Sequence, residues 1–448
     1  AIDSNWLTPG NWSLGVVPDG TMDVRINTPG QTITVAGAGT QIVNTLGVVA
    51  GSQIIFTTAD LQLNGNSTIN GGLSIGSSLS GAGDVISNGA FNWTGGTLFG
   101  PGQIFVNNTA LIDTSAGVNT LGKLFQIGGG GMATWQGGQD IASSGGSFQV
   151  DGGGLFDLQA NAILAPDIVI DPGAVLRRSV GTGLAQLSGT VTNNGLVDVQ
   201  SGTLSAPTFN SNGNINVAGG ATLAVTPGFS QNGGVTTLDS GATLDVGANA
   251  ITLLSNAILA GTGMVNGDVI NTAGVVAPGA SPGVLTITGN YVQGPSGSLA
   301  IEVQDPGATA GIDYDQVVIG GTATLDGNLL VTLLGGYAPP QGQAYDVLTY
   351  SSATGNFSNI PDVPLVEGTQ PFSGADTGLI YQLTAGTAQL PPMEEIPVVP
   401  DENLGEEVAA ENLNEIIALD ENTEFLDNDL IDDDEEDDEE EYKVCSGT

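Results

Sequence analysis

Apolar and polar residues alternate along most of this chain, but only for four to six residues before Gly or Asn interrupts the run. In "FNSNGNINVAGGATLAV" (209–225), Ile215 and Val217 alternate with polar residues, Gly219-Gly220 breaks the run, and Leu223 and Val225 resume it. Runs this short do not suit helices and predict short β-strands separated by tight turns.

The runs recur. "VTNNGLVDVQSGTL" (191–204), "FNSNGNINVAGGATLAV" (209–225) and "FSQNGGVTTLDSGATLDV" (229–246) align, with Asn-Gly pairs starting at Asn194, Asn212 and Asn232. Their Thr-Leu pairs start at Thr203, Thr222 and Thr243, so the spacings are 18 to 21 residues. Upstream, Trp93 in "NWTGGT" and Trp135 in "TWQGGQ" lie 42 residues apart, or two periods of 21. A unit of this size buries too few aliphatic side chains to offset the entropy of ordering its backbone. It must stack on its neighbours, and short strands stacked at this period predict a parallel β-solenoid. A propeller blade would need about 40–45 residues with a recurring signature, which is not seen. Residues 30–275 should make about twelve turns, or about 60 Å at one strand spacing per turn. Asn and Thr at equivalent turn positions should stack in ladders.

Composition fits this plan. Gly accounts for 70 of 448 residues, His for none and Cys for one, and charged residues are 12% of the chain. Like charges in successive turns would lie about 4.8 Å apart, and neutral polar residues avoid that repulsion. The net charge is −42. Residues 394–441 hold 23 of the 47 acids and no base, whereas residues 1–393 carry Arg25, Lys123, Arg177 and Arg178 as their bases. This balance argues against binding nucleic acid or anionic membrane through basic patches. No 18-residue apolar stretch predicts a transmembrane helix. Ala1 reads as the start of a mature chain or of a fragment.

Candidate chemistry is sparse. Asp305, Asp313 and Asp315 in "DPGATAGIDYDQV" place three carboxylates across one loop, a set that could hold Ca²⁺. The alternative is a turn whose Asp side chains cap backbone N–H groups. Arg177-Arg178 is the adjacent basic pair, and contact with Asp167 or Asp171 is its structural reading. "GVNTLGK" (117–123) has Gly-x4-Gly-Lys spacing, but Leu124 replaces the Ser or Thr of a phosphate loop. "GAGDVI" (81–86) does not recur in tandem as calcium-binding solenoid repeats require. Without His, a Ser–His hydrolase site is excluded. The four Trp residues could stack sugars, but their positions favour core or capping packing.

Several segments resemble a known family. "NWLTPGNWSLGVVPDGTMDVRI" (5–26) resembles the opening of large bacterial secreted β-repeat proteins, and the two Trp-Gly-Gly segments look like their rungs. "LAGTGMVNGDVINTAGVVAPGASPGVLTITGNYVQGPSGSLAIEV" (259–303) and "DYDQVVIGGTATLDGNLLVTLL" (313–334) resemble the end of autotransporter and related adhesin passengers. The resemblance covers most of residues 5–357. It implies a right-handed parallel β-helix, exported by outer-membrane machinery and displayed extracellularly on a bacterial surface. It also implies that the double Pro-Gly of 277–283 is a turn leaving the regular solenoid. The usual membrane β-barrel does not follow residue 389, so another anchor or release is expected.

The expected organisation is all-β. An N-terminal cap (1–30) precedes a parallel β-solenoid (31–290), a C-terminal β-rich capping module (291–389), and a Pro-rich linker with a disordered acidic tail (390–448). A short amphipathic helix over 406–421 and an idle Cys445 are expected within the tail. The expected function is a non-enzymatic adhesin-type protein making multivalent contacts with surface glycans or proteins, with no cofactor beyond the calcium considered above. The alternatives are a carbohydrate-active β-helix enzyme and a self-assembling filament subunit.

Overall fold

The computed structural model describes residues 3–389, apart from 4, 280, 308, 366 and 367. The predicted tail, with its acidic run, helix and Cys445, lies outside the described residues. The described chain is an all-β parallel solenoid. One 3-10 turn, Pro9–Asn11, is its helical element.

Each turn lays down three short strands, and each strand pairs in register with its counterparts one turn before and after. The first ladder begins Asp23–Ile26, Thr45–Val48, Ser67–Ile69. The second begins Thr32–Val35, Gln53–Phe56, Gly72–Ile75 and continues for fifteen parallel strands to Asn328–Leu333. The third begins Thr40–Val43, Asp60–Leu63. Thr243–Leu253 and Met264–Asn271 run through a corner without breaking, and so join the first and third ladders. The expected 20-residue period is present, and each period holds three of the alternating runs.

The period-2 pattern works because successive side chains of a strand point to opposite faces. In Leu196–Val199 and Asn214–Val217 the inward residues are Val197, Val199, Ile215 and Val217, all buried. Phe91, Phe125, Phe148 and Phe156 form a continuous aromatic column, with ring centroids 5.7, 5.4 and 4.8 Å apart. Trp93 aligns with Ile112, and Ile112 with Trp135, so the 42-residue spacing is two turns of one ladder. Both indoles are fully buried.

The Asn-Gly corners explain themselves by contact. A Cβ on Gly89 would meet Gly71 O at 1.8 Å, and one on Gly213 would meet Gly195 O at 2.3 Å. Only glycine lets these backbones approach. The Asn beside it stacks, as expected. Asn88 Nδ2 donates to Asn70 Oδ1, and Asn107 Nδ2 to Asn88 Oδ1, each at 2.9 Å.

Two expected boundaries move. Asp23–Ile26, placed in the N-terminal cap, already pairs with Thr45–Val48. Before it, Asn5 bridges Thr34, Trp6 N donates to Thr34 O at 3.4 Å, and Trp12 packs edge-on to Trp6 at 4.8 Å. At the other end, parallel stacking does not stop at residue 290. Tyr291–Gln293, Thr322–Leu325 and Ser352–Gly355 continue the first ladder. Antiparallel pairing begins with Ala344–Thr349 against Ile380–Ala385, which also pairs with Phe372–Asp376. The double Pro-Gly turn lies within the solenoid. It carries the chain from Val275–Pro278 in the second ladder to Val284–Ile287 in the third, and both strands have parallel neighbours on each side.

Candidate functional site

Inside the first ladder, apolar residues give way to a polar column. Asn193, Ser211, Gln231, Asn271 and Gln293 occupy one inward position in successive turns, interrupted by Leu253. All five are buried. Their amides satisfy corner carbonyls that the turn leaves free: Asn193 Nδ2 reaches Asn214 O at 3.0 Å, Gln231 Nε2 reaches Gly213 O at 2.8 Å, and Gln293 Nε2 reaches Asp326 O at 2.7 Å. Burying these N–H groups is tolerable because they are bonded, whereas Gln231 Oε1 has no hydrogen-bond partner among the described residues. The sequence carries the signal, since the residue before three Asn-Gly corners is Asn193, Ser211 or Gln231, polar at an inward position.

The adjacent cations part company. Arg177 points outward and pairs with Asp198 in the next turn, Nε to Oδ2 at 3.2 Å. Arg178 points inward and is fully buried. Its guanidinium donates to Leu158 O at 3.1 Å, Ala160 O at 2.8 Å and Gly183 O at 3.4 Å, and to Asn161 Oδ1. The expected partners are engaged elsewhere: Asp167 Oδ1 accepts Thr190 N at 2.7 Å. Asp171 lies in the corner before Arg178's own strand, with its carbonyl bonded to Ala174 N. Arg178 therefore holds a corner together.

Lys123, from the Gly-x4-Gly-Lys segment, is also buried, and its Nζ has no hydrogen-bond partner among the described residues. Burial lowers its pKa to about 8, opposed by the charge of Asp84. Asn119–Leu121 just before it is a strand of the third ladder, so no phosphate-cradling loop forms there.

The three loop carboxylates do different jobs. Asp315 is buried, with Oδ1 accepting Gly283 N at 2.7 Å and Oδ2 accepting Glu302 N at 2.8 Å. It ties the Pro-Gly turn to the second ladder. Burial pushes its pKa up to about 7 against those two hydrogen bonds. Asp313 Oδ2 accepts Thr309 N at 2.8 Å, and Asp305 Oδ1 accepts Gly307 N at 3.2 Å. Each carboxylate caps backbone, and among the described residues no three His, Cys, Asp or Glu side chains are grouped to hold a metal ion.

The exterior offers repeated polar contacts. Acids are bonded to neutral side chains of a neighbouring turn: Asp23 to Thr45 and Asn44, Asp113 to Gln136, Asp245 to Asn266. The Thr45 and Asn44 bonds hold the Asp23 carboxyl below its ordinary pKa. Shallow grooves open where the outline of successive turns changes. Gly47 lies between Arg25 and Thr68 in register, and its missing side chain opens a groove of about 380 Å³ lined also by Asn27, Asn66 and Asn70. A second, of about 410 Å³, forms where wide corners give way to tight ones. Gly130 N donates to Gly153 O and Gly153 N to Gly173 O, making a shelf. The shelf ends at the Asn194-Gly195 corner, and Val175, Leu196, Asn212 and Asn214 line the step. Three of the four Trp residues, Trp6, Trp93 and Trp135, are fully buried and unavailable as sugar platforms. No protein-family model matches the chain, and no curated protein matches it.

Proposed function

We propose that this protein is a non-enzymatic contact scaffold of the adhesin type, exported and displayed at a bacterial surface or released from it. The observation that carries the reading is the register of the outward side chains. Outward rows present Thr, Asn and Gln at one strand spacing, as Thr190 and Thr192 do against Thr208 and Asn210 and Gln126 against Gln149, interspersed with apolar pairs such as Val175 and Leu196, and shallow grooves open at steps such as Gly173–Asn194. Such a surface makes many weak contacts with an extended partner, and the sum of weak contacts gives avidity. With net charge −42, the partner is a neutral or basic surface, such as a neutral glycan or a basic protein face. Export through outer-membrane machinery belongs to the same reading and is supported by the resemblance of residues 259–334 to adhesin passengers.

The test is binding of the purified protein to arrayed polysaccharides and cell-surface proteins, followed by substitution of groove residues. Single changes at Asn27, Asn194 or Asn212 should each weaken binding by less than about fivefold, and combinations should multiply. Loss of all binding from one substitution would show a single site instead. Chain cleavage of a bound polysaccharide would replace this reading with the enzymatic one.

A further inference from the structure

Seven Asn-Gly pairs occur in the sequence, at Asn64, Asn70, Asn88, Asn194, Asn212, Asn232 and Asn266. Asn-Gly is chemically labile, because glycine leaves its own nitrogen unhindered for attack on the preceding side chain. The fold blocks that attack at six of the seven. The glycine N–H is bonded to Asn44 O for Gly65, Val48 O for Gly71, Ile69 O for Gly89 and Asn193 O for Gly213. Gly195 N is bonded to Asn193 Oδ1 and Gly267 N to Thr288 Oγ1. The asparagine side chains are held as well. Asn64 donates to Gly20 O; Asn70 and Asn88 bond each other, as do Asn194 and Asn212; Asn266 donates to Asp245.

Asn232 differs on both counts. Among the described residues, neither its side chain nor the Gly233 N–H has a hydrogen-bond partner, and Asn232 is exposed. The register supplies the reason. Ser211 aligns with Gln231 and Ile215 with Thr236, so this corner holds one residue more than its neighbour. The extra residue is absorbed with Gly234 at φ +71°, and the Gly233 N–H no longer follows the Asn232 N–H, which bonds Ser211 O. On the far side, Leu254 N bonds Gln231 O, and an aliphatic side chain takes the place where the amide row would continue.

We infer that Asn232 is a site of spontaneous backbone modification in the folded protein. The Gly233 nitrogen gives its proton to solvent base and attacks Asn232 Cγ. A C–N bond forms, closing a succinimide, and Nδ2 leaves as ammonia. Water then adds to one of the two ring carbonyls and opens the ring to aspartate or isoaspartate. One water is consumed and one ammonia released. The product carries a new negative charge, and as isoaspartate an extra main-chain methylene, at one corner of the first ladder.

The experiment ages the full chain at neutral pH, folded and in urea, and maps all seven pairs by peptide mass spectrometry with isoaspartate labelling. In the folded protein Asn232 should convert at least about tenfold faster than any other pair, the equivalent of about 1.4 kcal/mol in barrier. In urea all seven should convert at comparable rates. A folded-state rate at any of the other six within threefold of Asn232, or an Asn232 as protected as the rest, overturns the inference. If Asn232 is fastest in urea by the same factor, local sequence is the cause and the structural argument fails.

Discussion

Arg177 Nε lies 3.2 Å from Asp198 Oδ2 across neighbouring turns, while Arg178, the next residue, faces the opposite way into the core. Arg177 is part of a row, with Asp157 one turn before it and Asp198 one turn after. Alternating sign along the axis replaces the repulsion that a row of like charges would create. The two arginines should therefore respond differently to substitution. Arg177→Met removes a partly exposed pair and should cost less than about 1 kcal/mol. Arg178→Met strips several buried carbonyls of their donor and should cost about 3 kcal/mol or more. Urea unfolding of both variants checks this; equal midpoints would show that Arg178 does not hold its corner.

Lys123 makes the opposite prediction. Its pKa in the fold, about 8, is below that of an ordinary lysine, so the fold favours the neutral amine. Its contribution to stability is in place above the unfolded pKa and is lost as pH falls through about 8. At neutral pH it is a cost, and Lys123→Met should stabilise by about 1–3 kcal/mol. The gain should shrink as pH rises toward 10. A destabilised Lys123→Met variant at pH 7 would mean that the ammonium has a partner in solution.

Asp315 titrates near neutrality. Its folded pKa of about 7 lies above the ordinary carboxylate value of 3.8, and Glu302 adds to the rise. The associated stability is therefore complete below about pH 4 and lost as pH rises through 7. Melting temperature measured across this interval should contain a falling component that Asp315→Asn removes. An unchanged slope in the variant would place the titration elsewhere.

Glycine substitutions separate close approach from backbone conformation. Gly89→Ala puts a methyl carbon 1.8 Å from Gly71 O and should cost several kcal/mol, or prevent folding of that corner. Gly130→Ala meets no atom within 4 Å but occupies φ +84°, so its cost should be about 1 kcal/mol. Thermal unfolding and local hydrogen exchange distinguish them, and a Gly89→Ala protein as stable as Gly130→Ala would refute the contact argument.

The first strand of the second ladder, Thr32–Val35, meets Asn5 and Trp6 where a preceding turn would otherwise lie. Deleting residues 1–22 should expose this edge and drive concentration-dependent association. Light scattering reports it; a monomeric truncated protein with unchanged melting would show that the edge needs no cover.

Much of this was legible in short-range pattern. Asn194, Asn212 and Asn232 marked equivalent corners, and Trp93 and Trp135 marked equivalent rungs, because a solenoid repeats one local geometry and writes it into the period. The opposed directions of Arg177 and Arg178 were implicit in the strand period of two. The boundaries were less legible. A Pro-Gly pair signals a turn, but it does not say whether the strands on either side go on pairing in parallel, as those around Pro278 and Pro282 do.

By itself, the sequence determined the all-β character, the roughly 20-residue turn and the alternation of inward and outward residues, since each follows from local spacing and from the entropy that only stacking can offset. The tertiary structure decided what depends on neighbours far along the chain. It turned Asp315 inward to two N–H groups and left Lys123 Nζ without a hydrogen-bond partner among the described residues. It also left the Gly233 N–H open where one extra residue shifted a corner. Hydrogen bonds between turns depend on small displacements of backbone across the stack, and the one-dimensional pattern does not carry those displacements.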